Sequence, residues 1–582
     1  MGLNAIRLYM WGYQQHFQVI VQAEAERICS LLDPHLKAGV FLVGLRSDEN
    51  PDRHPVCVEP EDCGIDPDWF ADARKRAEHF RQTDPEHRIL HSHPIAQKSH
   101  DRKLANAALR AAILDAIRGY PSSTDPEFLC SPVVPVAGFE VAVVLKLTWT
   151  GGQRPYRLPK VHSEPRFQTP QSFMDAVFDL FVRHCAASLN VAHPENVIAY
   201  DGPRTEELFR QAGRRLMNTP IWSSGGTLGM DMLYDSCEVI SSLRYESSES
   251  FGAILVARRN HPNVSVTLSL LRPIPLNRHR SVRKLLEIST TGESLLADGE
   301  VIYGLGHAVG NYDQGEADLF EISFSSHHVW NLSHAGHRMM RVTYGKPCLP
   351  RGLLDVEKFK SDIVRIFDGV RDVAPDRLVE LAQEACRQQR GALVVISDEA
   401  QAESERLANQ ATLLDPVQLT AELLSRVTSI DGAVMVDASG RCYAIGVILD
   451  GTAVPDGDPG RGARYNSSIR YVANRKQCLA LIISEDGSAE WVPTLLPQLA
   501  RSELKRVSDE LQELAAQPEL SERKARRLLK WFREHRFYLS ADLCKEANAL
   551  RQRLNDADGA IQLLERDFEP SPQMNESYLS ED

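Results

Sequence analysis

Short, continuous apolar runs mark the buried strands that this chain is predicted to contain. The runs AGVFLVGL at 38–45, GFEVAVVL at 138–145 and GALVVI at 391–396 have the length and composition of strands covered on both faces. Apolar and polar residues alternate over 264–270 and 319–324, which predicts half-buried antiparallel strands. Stretches with helical apolar spacing separate these runs, so the chain is predicted to mix helices and sheets.

Breaks in this pattern divide the chain into five parts. A stretch rich in Gly, Pro, Arg and Gln at 151–170 predicts a linker between the first two. The parts are an N-terminal α/β unit at 1–155, a β-rich α+β unit at 171–360, a mixed α/β unit at 361–500, a charged helical region at 501–568, and a polar, acidic tail at 569–582 that is predicted to be disordered. The fold class is therefore α/β in the broad sense of an α+β multidomain protein, with a mixed sheet in the third part.

Two helices are predicted in the third part. The first covers 376–388 and is amphipathic. The second covers 415–427, with Asp415 as its N-cap and Pro416 in its first turn. Apolar strands alternate with these helices, which predicts a mixed sheet with both faces covered.

Composition and charge narrow the classes of function. The chain has 582 residues, 43% of them apolar, and a net charge of −13, which argues against a nucleic-acid binder that uses its whole surface. A basic helix at 522–537 leaves a local nucleic-acid contact open, beside helix packing or oligomer formation. Eleven scattered cysteines without a C-x-x-C pair predict reduced thiols in a cytoplasmic protein. The sequence has no apolar run long enough for a membrane span and no secretory signal, so no membrane partner is predicted.

Asp431 opens the stretch with the clearest candidate chemistry. It lies between a predicted helix and a predicted strand, and Gly432 and Ala433 follow it. These small residues would let a ligand approach the backbone closely. A carboxylate in that place is a natural ligand for Mg²⁺ or Mn²⁺, and such a metal could bridge the phosphates of a nucleotide.

A second candidate segment follows at 457–468. The turn GDPGRG at 457–462 could surround a polyphosphate with backbone N–H groups, and Arg464 would add a planar cation for phosphate. Other side chains that could bond the same ligand are Tyr465, Asn466, Ser467, Ser468, Ser484 and Glu485. We therefore expect a site for a nucleoside triphosphate and a divalent metal.

The residues from about 375 to 500 resemble the nucleotide-binding domain of diadenylate cyclases, the family that includes the DNA-integrity scanning protein. The resemblance is carried by GALVV at 391–395 after a helix, by the Leu-rich helix before Asp431-Gly432-Ala433, by the strand at 444–449, and by the stretch 478–487. Enzymes of this family join two molecules of ATP into cyclic di-AMP. Each site holds one ATP, so the resemblance implies a homo-oligomer in which two such domains face each other.

The resemblance also implies roles for individual residues. Asp431 would be the catalytic, metal-binding acid and Arg464 the catalytic arginine of the family's phosphate motif. The implied nucleotide-binding residues are Gly432, Ala433, Ile448 near the adenine, Gly462, Tyr465, Asn466, Ser467, Ser468, Ser484 and Glu485. The cofactor would be Mg²⁺ or Mn²⁺, the substrate ATP, and the first two parts of the chain would act as sensors.

Two substitutions keep a second interpretation open. The family's Gly-Thr-Arg-His-Arg reads here as Gly462-Ala463-Arg464-Tyr465-Asn466, so its His and its second Arg are replaced. A catalytically inactive domain that senses ATP or a cyclic nucleotide would fit this departure.

Clustered histidines offer further alternatives. His91 and His93 could hold zinc in a metallopeptidase, because two histidines and an acid leave one position open for water. The histidines of 327–337 could instead serve metal binding, ligand binding or pH sensing.

Overall fold

The computed structural model describes most of the chain. The described residues are 10–33, 35–47, 54–61, 63–120, 125–149, 154–160, 163–164, 167–189, 200–226, 232–245, 251–289, 292–350, 354–387, 391–452, 454, 462–473, 475–484, 489–517, 521–558 and 566–581. They form two compact units, an N-terminal unit within 1–350 and a C-terminal unit within 351–582. None of the described helices combines the length and apolarity needed to cross a bilayer.

The N-terminal unit contains two large sheets, the helices that cover them, and a separate two-stranded sheet formed by β6 and β7. Its helices are α1 Gln14–Leu32, α2 Ala73–Thr83, α3 Pro94–Ile117, α4 Phe173–Leu189, α5 Thr205–Ser223, α6 Met232–Ser242 and α7 His279–Leu285. Its strands are β1 Leu36–Arg46, β2 Val56–Glu59, β3 Glu127–Cys130, β4 Val134–Val136, β5 Phe139–Trp149, β6 Ser163–Glu164, β7 Phe167–Gln168, β8 Gly252–Ala257, β9 Val264–Pro275, β10 Ser294–Ala297, β11 Val301–Ala308, β12 Leu319–Ser326, β13 Val329–His334, β14 His337–Thr343 and β15 Lys346–Cys348.

The first sheet has helices on both faces. Its strand order is β2-β1-β5-β3, and β4 also pairs with β5. Along β1, Val40 and Leu42 join a core that includes α1 and α4, while Phe41, Val43 and Leu45 join a core that includes α2 and α3. Successive strand residues point to opposite faces, which explains why a strand buried on both sides reads as one continuous apolar run.

The second sheet is eight-stranded, in the order β15-β14-β13-β12-β8-β10-β11-β9. All its neighbouring strands are antiparallel except β8 and β10. Helices α5 and α6 pack against it. One hydrophobic cluster runs from Met10 to Leu349 and contains residues from both of the parts predicted at 1–155 and 171–360.

The C-terminal unit is built on a mixed sheet of six strands, in the order β17-β19-β18-β16-β20-β21. Its helices are α8 Val356–Ile366, α9 Pro375–Arg387, α10 Ala400–Arg406, α11 Ala421–Val427, α12 Ala463–Val472, α13 Arg501–Ala516, α14 Glu522–Glu534 and α15 Ala541–Asp558. Its strands are β16 Ala392–Ser397, β17 Thr412–Gln418, β18 Ala433–Val436, β19 Arg441–Val447, β20 Cys478–Ile483, β21 Ala489–Val492, β22 Leu499–Ala500 and β23 Leu579–Ser580. One core contains residues of α8, α9 and α11, and a second core on the other face contains residues of α10 and α12. The predicted multidomain α+β fold class is confirmed.

The helix predicted at 415–427 is wrong in its first half. Asp415 and Pro416 lie in β17, and α11 begins only at Ala421, where the Thr420 hydroxyl accepts a hydrogen bond from the Leu423 N–H at 3.2 Å. Proline cannot donate to a strand ladder, but β17 is an edge strand whose pairing with β19 is irregular between Leu413 and Val417. The missing N–H is tolerated there.

Helices α13, α14 and α15 share a third core of this unit. Residues 566–581, which include most of the tail predicted to be disordered, are described and contain β23. Strand β23 pairs with β22 in parallel, and Arg501 forms an ion pair with Glu576. These long-range contacts differ from the composition-based prediction because they depend on tertiary structure.

Candidate functional site

The loops at one end of the six-stranded sheet bring several of the predicted site residues together. Strands β16 and β18 are parallel neighbours, with Leu393 opposite Ala433. Gly391 and Asp431 therefore precede adjacent strands at the same end of the sheet. Neighbouring strands lie about 4.8 Å apart, so the two segments are roughly one strand spacing from each other.

Two further strands end at the same place. Ile483 is opposite the first residue of β16 in an antiparallel pair, so Ser484 leaves β20 beside Gly391. Val447 is opposite the first residue of β18, so Ile448 leaves β19 beside Asp431. Ser484 is exposed and Ile448 is 63% exposed. The site residues predicted from four separate segments thus share one end of the sheet.

Arg464 reaches this end from α12. Gly462 is the N-cap of the helix and Arg464 is its second residue, with an exposed side chain. Its guanidinium group lies against Gly391: a Cβ added to that glycine would lie 3.2 Å from Arg464 Cζ and 2.9 Å from the Ile483 carbonyl oxygen. The absence of a side chain at 391 therefore makes room for the cation.

A pair of glycines shapes the strand junction next to Asp431. Gly432 has φ +111° and Gly446 has φ +62°, in the range that favours glycine. A Cβ on Gly432 would lie 2.6 Å from the carbonyl carbon of Gly446. Ala433 is 0% exposed, so its methyl group lies in the core and only its backbone could face a ligand.

Asp431 presents an exposed carboxylate, and its Oδ1 accepts a hydrogen bond from the Gly432 N–H at 3.1 Å. Within the described ranges, no three His, Cys, Asp or Glu side chains are grouped to hold a metal. Mg²⁺ commonly uses one or two carboxylates together with substrate phosphates and water. One exposed carboxylate beside an exposed arginine fits that mode of binding, in which the nucleotide supplies the remaining ligands.

The polar residues of α12 are placed in different ways. The hydroxyls of Ser467 and Ser468 donate to the Arg464 carbonyl at 3.0 and 2.7 Å, and Ser468 is 0% exposed. Ser468 therefore stabilises the helix from within, which differs from its predicted place among the ligand contacts. Tyr465 is half-buried against the core, and Asn466 Nδ2 donates to the Gly462 carbonyl at 3.3 Å. Glu485 and most of the predicted turn at 457–462 lie outside the described residues.

A charged network that the sequence analysis missed holds α12 to α10. The Glu403 carboxylate accepts hydrogen bonds from Tyr471 at 2.7 Å, from Arg406 at 2.8 and 2.9 Å, and from Arg475 at 2.9 and 3.2 Å. Arg406 also forms a two-point ion pair with Asp450 at 2.6 and 2.8 Å. The hydrogen bonds from Arg406, aided by those from Tyr471 and Arg475, lower the pKa of Glu403 to about 2. The only local signal was the spacing of Glu403 and Arg406, because the other partners are distant in sequence.

His334, in the predicted histidine cluster, belongs to a buried relay in the N-terminal unit. Its ring nitrogens contact the hydroxyls of Tyr156 at 2.7 Å and Tyr312 at 3.1 Å. Tyr312 donates to Asp318 at 3.0 Å, and His261 Nε2 lies 3.2 Å from the same carboxylate. Burial lowers the pKa of His334, so the relay holds its neutral form.

The histidines proposed for zinc have other contacts. His93 is the N-cap of α3, and its Nδ1 accepts from the Ile95 N–H at 3.2 Å. The His91 ring packs against His100, with centroids 4.9 Å apart. Neither contact gathers a third metal ligand in this described segment.

The C-terminal unit is built on an α/β domain with a mixed sheet, and a region of a different architecture precedes it along the sequence. Comparison with protein families agrees: residues 380–490 match the family described as DisA bacterial checkpoint controller nucleotide-binding. Residues 10–217 match the probable sensor domain DACNG, and residues 231–336 match the probable sensor domain DACNH. The chain thus carries a nucleotide-binding domain of the diadenylate-cyclase type preceded by sensor domains, which confirms the resemblance.

Solved structures are also similar to the chain. One is a crystal structure of a double mutant of DacA from Staphylococcus aureus, at 20% identity, with 20% of this chain and 78% of that chain covered and a TM-score of 0.18. Another is described as a hypothetical membrane spanning protein from Bacillus cereus, at 22% identity, with 22% of this chain and 63% of that chain covered and a TM-score of 0.18. A comparison with curated proteins found no match.

Proposed function

We propose that this protein is a sensor-regulated nucleotidyltransferase of the cytoplasm that joins two molecules of ATP into cyclic di-AMP with Mg²⁺ or Mn²⁺. The observation that carries the proposal is the position of Arg464 against Gly391, at the end of the sheet where Asp431 precedes the neighbouring strand. A cation and a carboxylate so placed suit a metal-bound triphosphate.

Each of these residues has a distinct task in the proposal. The Arg464 guanidinium and the N-terminus of α12 attract the phosphates, because both present N–H groups and positive charge. Asp431 would hold the metal, which when bound neutralises charge on the phosphates. Ile448, 63% exposed beside the same strand end, offers an apolar surface to the adenine.

The reaction requires two copies of the site. The 3′-hydroxyl oxygen of one ATP attacks the α-phosphorus of the other and loses its proton to solvent. The bond between that phosphorus and the oxygen that bridges the α- and β-phosphates breaks, and pyrophosphate leaves. Repetition in the opposite direction closes the ring. Because the chain carries one such domain, we propose a homo-oligomer in which two sites face each other, and catalysis then rests on positioning and electrostatics.

The test is incubation of the full chain with labelled ATP and Mn²⁺, with products identified by mass spectrometry. Asp431→Asn and Arg464→Ala should each reduce cyclic di-AMP formation by about a hundredfold or more, because each removes a charge that stabilises the transition state. The matched controls are Asp376→Asn, an exposed acid in the first turn of α9, and Arg441→Ala, an exposed arginine at the opposite end of β18 and β19. Equal activity of the site variants and their controls would refute this assignment of the site.

A second candidate function, a nucleotide sensor without turnover, is favoured by the residues after Arg464. Tyr465 and Asn466 stand where the family has a histidine and a second arginine, and neither side chain carries a positive charge. Tyr465 packs against the core, and the Asn466 amide donates to the Gly462 carbonyl. ATP binding that is lost in Arg464→Ala, with no cyclic product from any nucleotide mixture, would support this function. We propose that in either case the N-terminal sensor domains regulate the site, so the assays should include cell extract as a source of the sensed ligand.

A further inference from the structure

The residues that leave β19 connect this strand end to two helices of the nucleotide-binding domain. Ile448 begins the segment 448–451 with its side chain 63% exposed, and its N–H donates to the Gln410 carbonyl at 3.0 Å. The next residue, Leu449, packs against the core that contains residues of α10 and α12. A backbone hydrogen bond and a core contact therefore hold Ile448 in place while its side chain faces solvent.

An ion pair fixes the third residue of the segment. Arg406, the last residue of α10, donates to both carboxylate oxygens of Asp450 at 2.6 and 2.8 Å. It also donates to both oxygens of Glu403 at 2.8 and 2.9 Å. The side chains of Arg406 and Asp450 are 41% and 43% exposed, so a single contact between them would be weak. The two-point geometry and the second acid restrict the guanidinium to one orientation, which fixes Asp450 as well.

Gly451 brings the end of the segment against α12. A Cβ added to Gly451 would lie 2.7 Å from the carbonyl carbon and the carbonyl oxygen of Arg470 and 2.8 Å from its Cβ. Only a residue without a side chain permits this approach. Because α12 also carries Arg464, the segment 448–451 sets the spacing between Ile448 and Arg464.

We infer that Asp450 is a positioning residue, which holds the segment 448–451 so that Ile448 meets the base of the nucleotide whose phosphates Arg464 binds. The inference rests on the proposed function, which assigns the base to Ile448 and the phosphates to Arg464. A ribose of fixed size joins base and phosphates, so a nucleotide makes both contacts only when the two residues are correctly spaced. Asp450 acts through Ile448 and needs no contact with the ligand.

This role can be separated from a contribution to stability alone. Loss of an ion pair that only stabilised the domain would affect all ligands of the site alike. Loss of a positioning contact should weaken a ligand that has a base more than one that has none. Inorganic triphosphate presents phosphates to Arg464 and has no base for Ile448, so it is the matched ligand.

The test is calorimetric titration of the full chain with Mg²⁺ and either inorganic triphosphate or α,β-methylene ATP, in which the reacting bond is replaced. Asp450→Asn should raise the Kd of the ATP analogue about three- to tenfold and change that of triphosphate by less than about twofold. Asp450→Glu, which keeps the charge, should bind the analogue more tightly than Asp450→Asn. The control Asp376→Asn removes an exposed ion pair with Lys360 at 2.6 Å and should change neither Kd.

A double-mutant cycle with the ATP analogue gives an independent readout. If Asp450 acts through Ile448, Asp450→Asn should change the Kd by less than about twofold in an Ile448→Ala background. Circular dichroism verifies that the variants are folded. Additive effects in the cycle, an equal loss of affinity for both ligands, or an unchanged Kd of the analogue in Asp450→Asn would overturn the inference and leave the proposed function standing. A wild-type chain that binds neither ligand would contradict the proposed function, and the inference with it.

Discussion

The Glu403 network permits the sharpest test of how the candidate site is held in place. The change is Glu403→Gln, which keeps the size of the side chain and removes its charge. Glu403 has a side chain only 13% exposed, and it connects α10 with Tyr471 of α12 and with Arg475 just beyond. Because α12 also carries Arg464, loss of the network should loosen the element that positions the phosphate-binding cation.

The expected loss of stability in Glu403→Gln follows from the lowered pKa of Glu403. A fall in the pKa from 4.5 to about 2 corresponds, at about 1.4 kcal/mol per pH unit, to about 3 kcal/mol, and solvent screening of this partly exposed carboxylate reduces the stabilisation of its charged form to about 2–3 kcal/mol. Removal of one partner from a paired, largely buried group costs a similar amount. We therefore expect Glu403→Gln to lower the local stability of α10 and α12 by about 2–3 kcal/mol near neutral pH.

Amide hydrogen exchange followed by mass spectrometry measures the local stability of each peptide segment separately. The peptides of α10 and α12 should exchange roughly 30- to 150-fold faster in the variant, since each 1.4 kcal/mol is tenfold. The matched control is Glu422→Gln in α11, which breaks an exposed ion pair with Arg426 and should change exchange by less than about threefold. Unchanged exchange in α10 and α12, or an equal effect in the control, would refute the reasoning.

The stabilisation that the Glu403 carboxylate contributes should decrease as the pH falls. The folded pKa of Glu403 lies below its ordinary value, so the stabilisation is present above about pH 4.5 and is lost as the pH falls towards about 2. The difference in melting temperature between wild type and Glu403→Gln should therefore shrink across that window. A difference that stays constant would assign the effect to packing rather than to charge.

Three further predictions concern stability elsewhere in the chain. Gly432→Ala should lower the free energy of unfolding of the C-terminal unit by about 2–4 kcal/mol, seen as a lower melting temperature, because the new Cβ would lie 2.6 Å from the Gly446 backbone. The control Gly462→Ala should leave the melting temperature nearly unchanged, because nothing lies within 4 Å of a Cβ there. Asp362→Ala should cost about 3 kcal/mol in chemical unfolding of the same unit, since Asp362 is 1% exposed and accepts the Trp491 indole N–H at 2.9 Å; an unshifted transition midpoint would contradict this. Because burial lowers the pKa of His334 below 6.5, the unfolded chain binds a proton at this histidine more readily than the folded chain does, and acid therefore favours unfolding. The melting temperature of the N-terminal unit should fall between about pH 7 and pH 5, and it should fall less in His334→Asn.

The spacing of apolar residues and the composition predicted the strands that are buried on both faces. The apolar runs 38–45, 138–145 and 391–396 are β-strands because each is covered on both faces, so burial on either side demands apolar residues. The segment 412–418 was predicted wrongly in part. Five of its seven residues are exposed along a sheet edge, so their pattern carries little burial signal, and the local preference for a helix start at Asp415 gave no information about pairing with β19.

The candidate site was predictable where it depends on chain order and unpredictable where it depends on packing. Asp431, Ile448 and Ser484 each stand next to an apolar strand in the sequence, and the sheet brings those strand ends together. The burial of Ser468 and the contact of Arg464 with Gly391 depend on how α12 lies on the sheet. No spacing along the chain encodes that placement.

The close approach of Gly432 to Gly446 sets a limit on how this site can evolve. A clash between two side chains can be relieved by a second-site substitution that shortens one of them. Here a new side chain at 432 would meet the backbone of a residue that is already glycine, at 2.6–2.9 Å from its carbonyl carbon, Cα and carbonyl oxygen. Gly446 has no side chain that could be shortened, so substitutions that suppress a change at 432 should not arise at 446. They would have to move the backbone of the whole junction between β18 and β19. Variation of the ligand specificity is then left to the side chains around this junction, while its backbone stays invariant.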